Sequence, residues 1–200
     1  MSGSTFGDPS VLAIGLALAW LAGVRVYLTL CGLGLAGAWG WLALPTALQV
    51  TTSPWVIGTC AVLALIEFVV DKVPGMDTGW DLLHTLLRIP VGAFLAAAML
   101  SADGKLASDA LLAGGALALG SHAAKTGTRL LINTSPEPLS NWTASLGEDI
   151  VVVITLVLLP MHPWFGLSVA IGGLVLGALT VLWSFRSLLR VARPRTGAIA

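Results

Sequence analysis

The chain has 200 residues, of which 56% are hydrophobic and 10% charged, and its formal net charge is zero. Soluble domains carry about 25% charged residues, so a mean hydropathy of +0.92 argues against a surface built mainly for water. The absence of net positive charge removes the electrostatic footprint that nucleic-acid binding requires.

Read in chain order, residues 1–10 contain no basic run ahead of the first apolar stretch. A cleavable signal is therefore not expected, and a short N-terminal tail over 1–10 leads into a retained first span. Apolar runs predict spans at about 11–37, 54–72, 80–101, 106–132, 146–160 and 163–187. Strand-like alternation never persists, which predicts an all-α, polytopic membrane helix bundle of about six spanning helices in a single integral membrane domain over 1–200. Helix breakers punctuate it at Pro45 and Pro54, at Pro74-Gly75, at Asp103-Gly104, at Ser135-Pro136-Glu137-Pro138, and at Pro160 and Pro163. Trp39, Trp41, Trp55, Trp80, Trp142 and Trp164 fall near span ends, where amphipathic rings anchor at the membrane interface. Cys31 and Cys60 lie inside apolar runs and read as small buried hydrophobes rather than a disulfide. Arg186, Arg190, Arg193 and Arg195 make 186–200 a basic tail. By the positive-inside tendency that tail is cytoplasmic, and an even number of spans brings the N-terminus to the same side.

Polar residues interrupt this background at helical spacing. Glu67 and Asp71 are one turn apart; Asp77, Asp81, His84 and Arg88 form a stripe if the third helix begins near Asp77; His122, Lys125, Arg129 and Asn133 form another. Ser145, Glu148 and Asp149 open the fifth span, and Arg25 lies within the first. A charge at the centre of a spanning helix costs about 2.5–3.5 kcal/mol even on the lenient insertion scale. These faces are therefore expected to turn inward, into a polar core between the second and fifth helices that Arg25 approaches from the first. Ser145-Leu-Gly-Glu148 fits a capping box and Thr78-Gly-Trp-Asp81 resembles one, so Glu148 and Asp81 could also be helix-start residues.

Three functions compete. In a small permease or channel, the carboxylates and bases just named, with Glu137 and Asn141 from the fourth loop, would line a substrate or ion pathway, proton-coupled or holding an anionic or lipid headgroup. In an intramembrane enzyme, His84 or His122 would act as base with Asn133 or Asn141 as oxyanion donor, but no nucleophile elbow, phosphate loop or dinucleotide fingerprint accompanies them. In a scaffold subunit the charges would only pair. Neither a metal site nor a cofactor is expected, since no H-x-x-x-H or H-E-x-x-H spacing occurs. Partners are expected to be membrane lipids, an unidentified small molecule or ion, and a second copy of the chain if a homodimer thickens the wall. The sequons at Asn133 and Asn141 face the side assigned to the cytoplasm and are discounted. Sliding the chain by 62 residues aligns Pro74 with Pro136, Trp80 with Trp142, Asp71 with Asn133 and Glu67 with Arg129. This suggests a duplicated helix–Pro turn–helix unit, an arrangement transporters use to build a central site.

The strings E-F-V-V-D-K-V-P-G-M-D-T-G-W-D-x-x-H-T and H-A-A-K-T-G-T-R-x-x-x-N-T-S-P-E-P-x-S-N, the S-x-x-E-D that follows and the early G-V-R-V-Y-L-T resemble the bacterial membrane proteins of domain of unknown function 4126. The resemblance covers most of residues 20–155. It implies a compact multi-pass domain in a bacterial inner membrane with these polar strings as its hallmark, and it brings no activity with it.

Overall fold

The computed structural model describes residues 9–73, 76–101, 105–133 and 138–192, with backbone alone at 77, 78, 82, 138, 184, 185 and 187–192. The Pro74-Gly75, Asp103-Gly104 and Ser135–Glu137 breakers, the side chains of Asp77 and Arg190, and Arg193 and Arg195 lie outside the described residues. Among the described residues there is no strand. The described residues form seven α-helices, α1 (Pro9–Val24), α2 (Val26–Ala38), α3 (Pro54–Val70), α4 (Met76–Met99), α5 (Ser108–Ile132), α6 (Pro138–Leu158) and α7 (Pro163–Ala192), with a 3-10 helix at Thr46–Thr52.

α1 is apolar on every side, and a helix of that kind must be covered on every side. Twelve of its 16 residues are buried, enclosed chiefly by α4, α5 and α7. Small residues permit the close approach. A Cβ on Gly23 would lie 2.3 Å from Ala118 O, one on Gly92 2.4 Å from Ala118 Cβ, and one on Gly114 2.5 Å from Ala96 Cβ. This small-residue packing brings backbones together where apolar surroundings supply no hydrophobic drive between helices.

The expected first span, 11–37, is not one helix. It breaks at Arg25, whose backbone sits at φ −143° and ψ 82° between α1 and α2. At ~1.5 Å per residue, 16 residues reach only about 24 Å, short of the ~30 Å of a hydrocarbon core. The 3-10 helix packs back on α2, where a Cβ on Gly34 would lie 2.3 Å from Thr51 O, and it meets α3 at 68°. Among the described residues two helices, Leu139–Leu158 and Pro163–Trp183, are long and apolar enough to cross a membrane, and the bent pair would make a third. α6 also starts eight residues before the expected span at 146. Ser145 is therefore interior to α6, and Asp81 interior to α4, so neither capping box forms.

Exposure is inverted relative to a water-soluble bundle. On α4, Leu83, Leu86 and Leu87 face outward while Asp81, His84 and Arg88 are buried. On α5, Leu112, Leu119 and Leu130 are exposed while His122, Lys125 and Arg129 are buried, and α6 turns Ile150, Val153, Ile154 and Val157 outward. Charge is inside and aliphatic surface outside. α3 ends at Val70 and α5 at Ile132; α4 begins at Met76 and α6 at Pro138, each pair 62 residues apart. The residues closing α3 and α5, Asp71 and Asn133, share nearly the same backbone geometry, φ −65° and ψ −9° against φ −70° and ψ −7°.

Candidate functional site

The break after α1 places Arg25 at the meeting point of α3, α5 and α6. Its guanidinium pairs with Asp71 at the end of α3, with Asp149 Oδ1 at 2.9 Å and with Glu148 Oε2 at 3.4 Å. It also donates to Ser145 Oγ at 2.9 Å. Interrupting a helix frees backbone carbonyls, and one of them, Val24 O, accepts Lys125 Nζ at 3.4 Å.

Lys125 continues the network to Asp71 Oδ2 at 2.8 Å and Asp81 Oδ1 at 3.2 Å. Arg88 bridges Glu67 Oε1 at 2.5 Å and Asp81 Oδ1 at 2.8 Å. Arg129 reaches Glu148 Oε1 at 3.1 Å and Asp71 Oδ2 at 3.9 Å, and donates to Asn141 O at 3.0 Å. Asn141 Nδ2 in turn donates to Asn133 Oδ1 at 2.7 Å. Among the described residues five carboxylates therefore face four basic groups in one connected cluster. Lys72 reaches the same Ser145 hydroxyl as Arg25 and interacts with Asp149 and Asp71, so with it the charges of the cluster and its margin balance. Glu67 Oε2, Asp71 Oδ1, Asp81 Oδ2, Glu148 Oε2 and Asp149 Oδ2 are buried without a hydrogen-bond partner among the described residues. Buried polar atoms rarely stay unmet, so these oxygens require water, a proton or a ligand donor. Glu148 and Asp149 are the cluster's most accessible carboxylates, each 18% exposed.

The two histidines at the cluster hold opposite tautomers. Arginine can only donate, so His122 Nδ1 accepts from Arg88 Nη1 at 3.0 Å. Its Nε2 must then carry the proton and donate to Thr85 Oγ1 at 2.7 Å, while the Thr85 hydroxyl donates to Asp81 O at 3.0 Å. The lone pair of His122 is committed, which leaves it no capacity as a general base in this arrangement. His84 is the opposite tautomer. Its Nδ1 donates to Trp80 O at 2.8 Å, its Nε2 accepts from Tyr27 Oη at 2.8 Å, and its ring stacks on Trp80 with centroids 4.2 Å apart.

A cavity of about 560 Å³ opens beside the cluster, bounded by α1, α5, α6 and α7, with Lys125 and Glu148 in a wall that is otherwise mostly apolar. Trp20 lines it too, and its edge fits against Gly173, where a Cβ would lie 2.1 Å from Trp20 Cζ2.

Of the residues singled out in the sequence, Arg25, Glu67, Asp71, Asp81, Arg88, Lys125, Arg129, Glu148 and Asp149 lie in the charged cluster. His122, Asn133 and Asn141 attach to it through Arg88 and Arg129, and His84 stands beside it with Tyr27. Asp77, by its side chain, and Glu137 are outside the described residues. Tyr27, Thr85, Trp20 and Lys72 were not anticipated. Tyr27 is two residues from Arg25, the wrong interval for one face of a continuous helix; only the break brings both inward. Thr85 lies three residues before Arg88 on the same face, a legible signal. Trp20 was marked by lying in the middle of an apolar run rather than at its end. Lys72, half-buried, donates to Phe68 O at 3.0 Å and to Ser145 Oγ at 3.4 Å.

No curated protein and no solved structure matches the chain significantly. Residues 12–184 match the family described as domain of unknown function 4126, and with most of its length covered in this way the chain belongs to that family.

Proposed function

We propose that the chain is a small permease of the bacterial inner membrane, crossing it in about six passes with both termini in the cytoplasm, and that the buried charged cluster is its ion- or proton-responsive pathway. One observation carries the reading: a connected cluster of five carboxylates and four bases sits inside helices whose outer faces are leucine, isoleucine and valine. Intramembrane ionisable groups mark pathways and sites by default. The unpartnered carboxylate oxygens supply a place for a proton or cation to bind and leave. The interrupted α1–α2 pair and the matched ends of the two hairpins, α3–α4 and α5–α6, support a central site between related halves, as transporters build them. The test is reconstitution in liposomes loaded with a pH-sensitive dye. Wild type should move protons or rubidium faster than empty vesicles, and Glu148→Gln should lose that flux while its purification yield persists. Wild-type vesicles no leakier than empty ones would overturn the reading.

A scaffold reading has an observation of its own, because each of the four bases meets at least two carboxylates. In that case Glu148→Gln should lower yield as strongly as a change at Asp71. The intramembrane-enzyme reading is weakened by the committed lone pair of His122 and by the bond that ties Asn141 to Asn133.

A further inference from the structure

We propose that Cys31 and Cys60 are a redox pair that joins α2 to α3 through a reversible disulfide and so sets how firmly α3 is held. The proposal is independent of the permease reading and uses the proposed topology only for the source of the oxidant. Both thiols are free and buried in this structure, and what pairs them is helix register. A Cβ on Gly34 of α2 would lie 2.9 Å from Ile57 Cγ1 of α3, so the two helices touch there. Tyr27, two turns back along α2, lies within electrostatic range of Cys60 and Glu67, further along α3. The helices are therefore antiparallel. One turn from the Gly34–Ile57 contact, back along α2 and forward along α3, Cys31 comes opposite Cys60. The two sulfurs are within electrostatic range of each other. A disulfide needs Cα atoms about 4.4–6.8 Å apart, a spacing that a glycine-lined helix contact permits.

The consequence follows from how α3 is attached. Cys60 and Glu67 are its two buried residues, two turns apart on one face, while Val62, Leu65, Ile66 and Val69 are exposed. One seam thus secures the helix, with Cys60 toward its start and Glu67 toward the charged cluster. A bond at Cys60 would fix the end of the seam that no ion pair among the described residues holds. Access exists as well: Cys31 lines a cavity of about 200 Å³ beside α6, with the exposed Trp39 and Trp41 among its walls. The chemistry is thiol–disulfide exchange. One cysteine, as thiolate, attacks an external disulfide and expels a thiol, and the second cysteine displaces the other external thiol. Two protein thiols are oxidised to one disulfide while the external disulfide is reduced to two thiols. With the N-terminus cytoplasmic, as proposed above, the end of α2 lies at the outer face, the side on which disulfides form and persist.

The test begins with the reduced, purified full chain in detergent and dibromobimane, which fluoresces after alkylating two neighbouring thiols. Fluorescence is expected from wild type and from neither Cys31→Ser nor Cys60→Ser. Oxidised glutathione should then remove both maleimide-reactive thiols, counted after denaturation, while the chain stays monomeric on a non-reducing gel, and dithiothreitol should restore them. Oxidation should also raise the denaturing-detergent concentration at half-unfolding, in wild type and not in either variant. The wild-type measurements keep the proposal falsifiable if a variant misfolds. Absent bimane fluorescence, thiols still reactive after oxidation, disulfide-linked dimers or an unmoved midpoint each overturn it; the last two readings would leave the cysteines as small buried hydrophobes. Acid-quenched, maleimide-blocked cells should contain the bond. A pair that oxidises when purified but is fully reduced in cells would overturn the topology from which the oxidant is inferred, whereas absence of the bond in both overturns the pair.

Discussion

Asp71→Asn tests whether the cluster has a keystone. Asp71 is fully buried at the end of α3 and faces Arg25, Lys125 and Arg129 together. Neutralising it leaves three bases sharing the remaining carboxylates, and removing one partner from a buried ion pair costs about 3–5 kcal/mol. At 1.4 kcal/mol per decade, that is a loss of roughly two to four orders of magnitude in the folded-to-unfolded ratio. Asp149→Asn is the matched control. Its side chain is 18% exposed where that of Asp71 is fully buried, and its partner Arg25 keeps Asp71 and Glu148, so the cost should be that of one charge-assisted hydrogen bond, about 1.5–3 kcal/mol. Both variants remove one negative charge from the same cluster, so total charge predicts equal effects and local pairing predicts unequal ones. Unfolding by denaturing detergent, followed through tryptophan fluorescence, reads the difference. If Asp71→Asn unfolds no more easily than Asp149→Asn, the pairing energies assigned here are wrong.

Gly23→Ala should force α1 from α5, since its Cβ would lie 1.9 Å from Ser121 Oγ and 2.3 Å from Ala118 O; overpacking of this kind costs about 1–3 kcal/mol, whereas Gly58→Ala, with nothing within 4 Å, should be neutral in the same unfolding assay. Nitrogen-15 spectra should show His122 protonated on Nε2 and His84 on Nδ1; the same tautomer at both would contradict the bonds of Arg88 and Trp80. Leu86 is 81% exposed, so Leu86→Lys should impair membrane insertion by about 2.5–3.5 kcal/mol if that face meets lipid near mid-bilayer, read by the fraction of chain recovered in membranes. Equal recovery would place Leu86 in water.

Helix type and helix extent were legible wherever hydrophobic runs met Pro or Asp. α3, α5 and the start of α7 fall within two residues of their expected positions because Pro54 and Pro163 fix two starts and the apolar run of α5 is bounded by polar residues at both ends. The break at Arg25 was not legible, because no Pro marks it and Gly23 is one of five glycines in the 11–37 run; the cause is tertiary, a guanidinium satisfied by side chains from α3 and α6. The early start of α6 was hidden because its first two turns carry Ser140, Asn141 and Thr143, which read as loop although Asn141 accepts from Arg129 and Thr143 is exposed. The charged stripes were legible from i, i+4 spacing alone. The cavity was not, since Trp20, Gly147 and Gly172 are remote in sequence and share no pattern.

Arg25 is made 46 residues before Asp71 and 120 before Ser145, so the charge at the heart of the protein emerges from the ribosome long before its neutralising partners. If the chain inserts into a membrane as proposed, an early α1 must wait near water or in the translocation machinery until α3 arrives, and it is secured only by α6. The last acidic pair to be synthesised thus closes the assembly, and a nascent chain halted before residue 139 should leave the amino-terminal helices extractable by mild alkali.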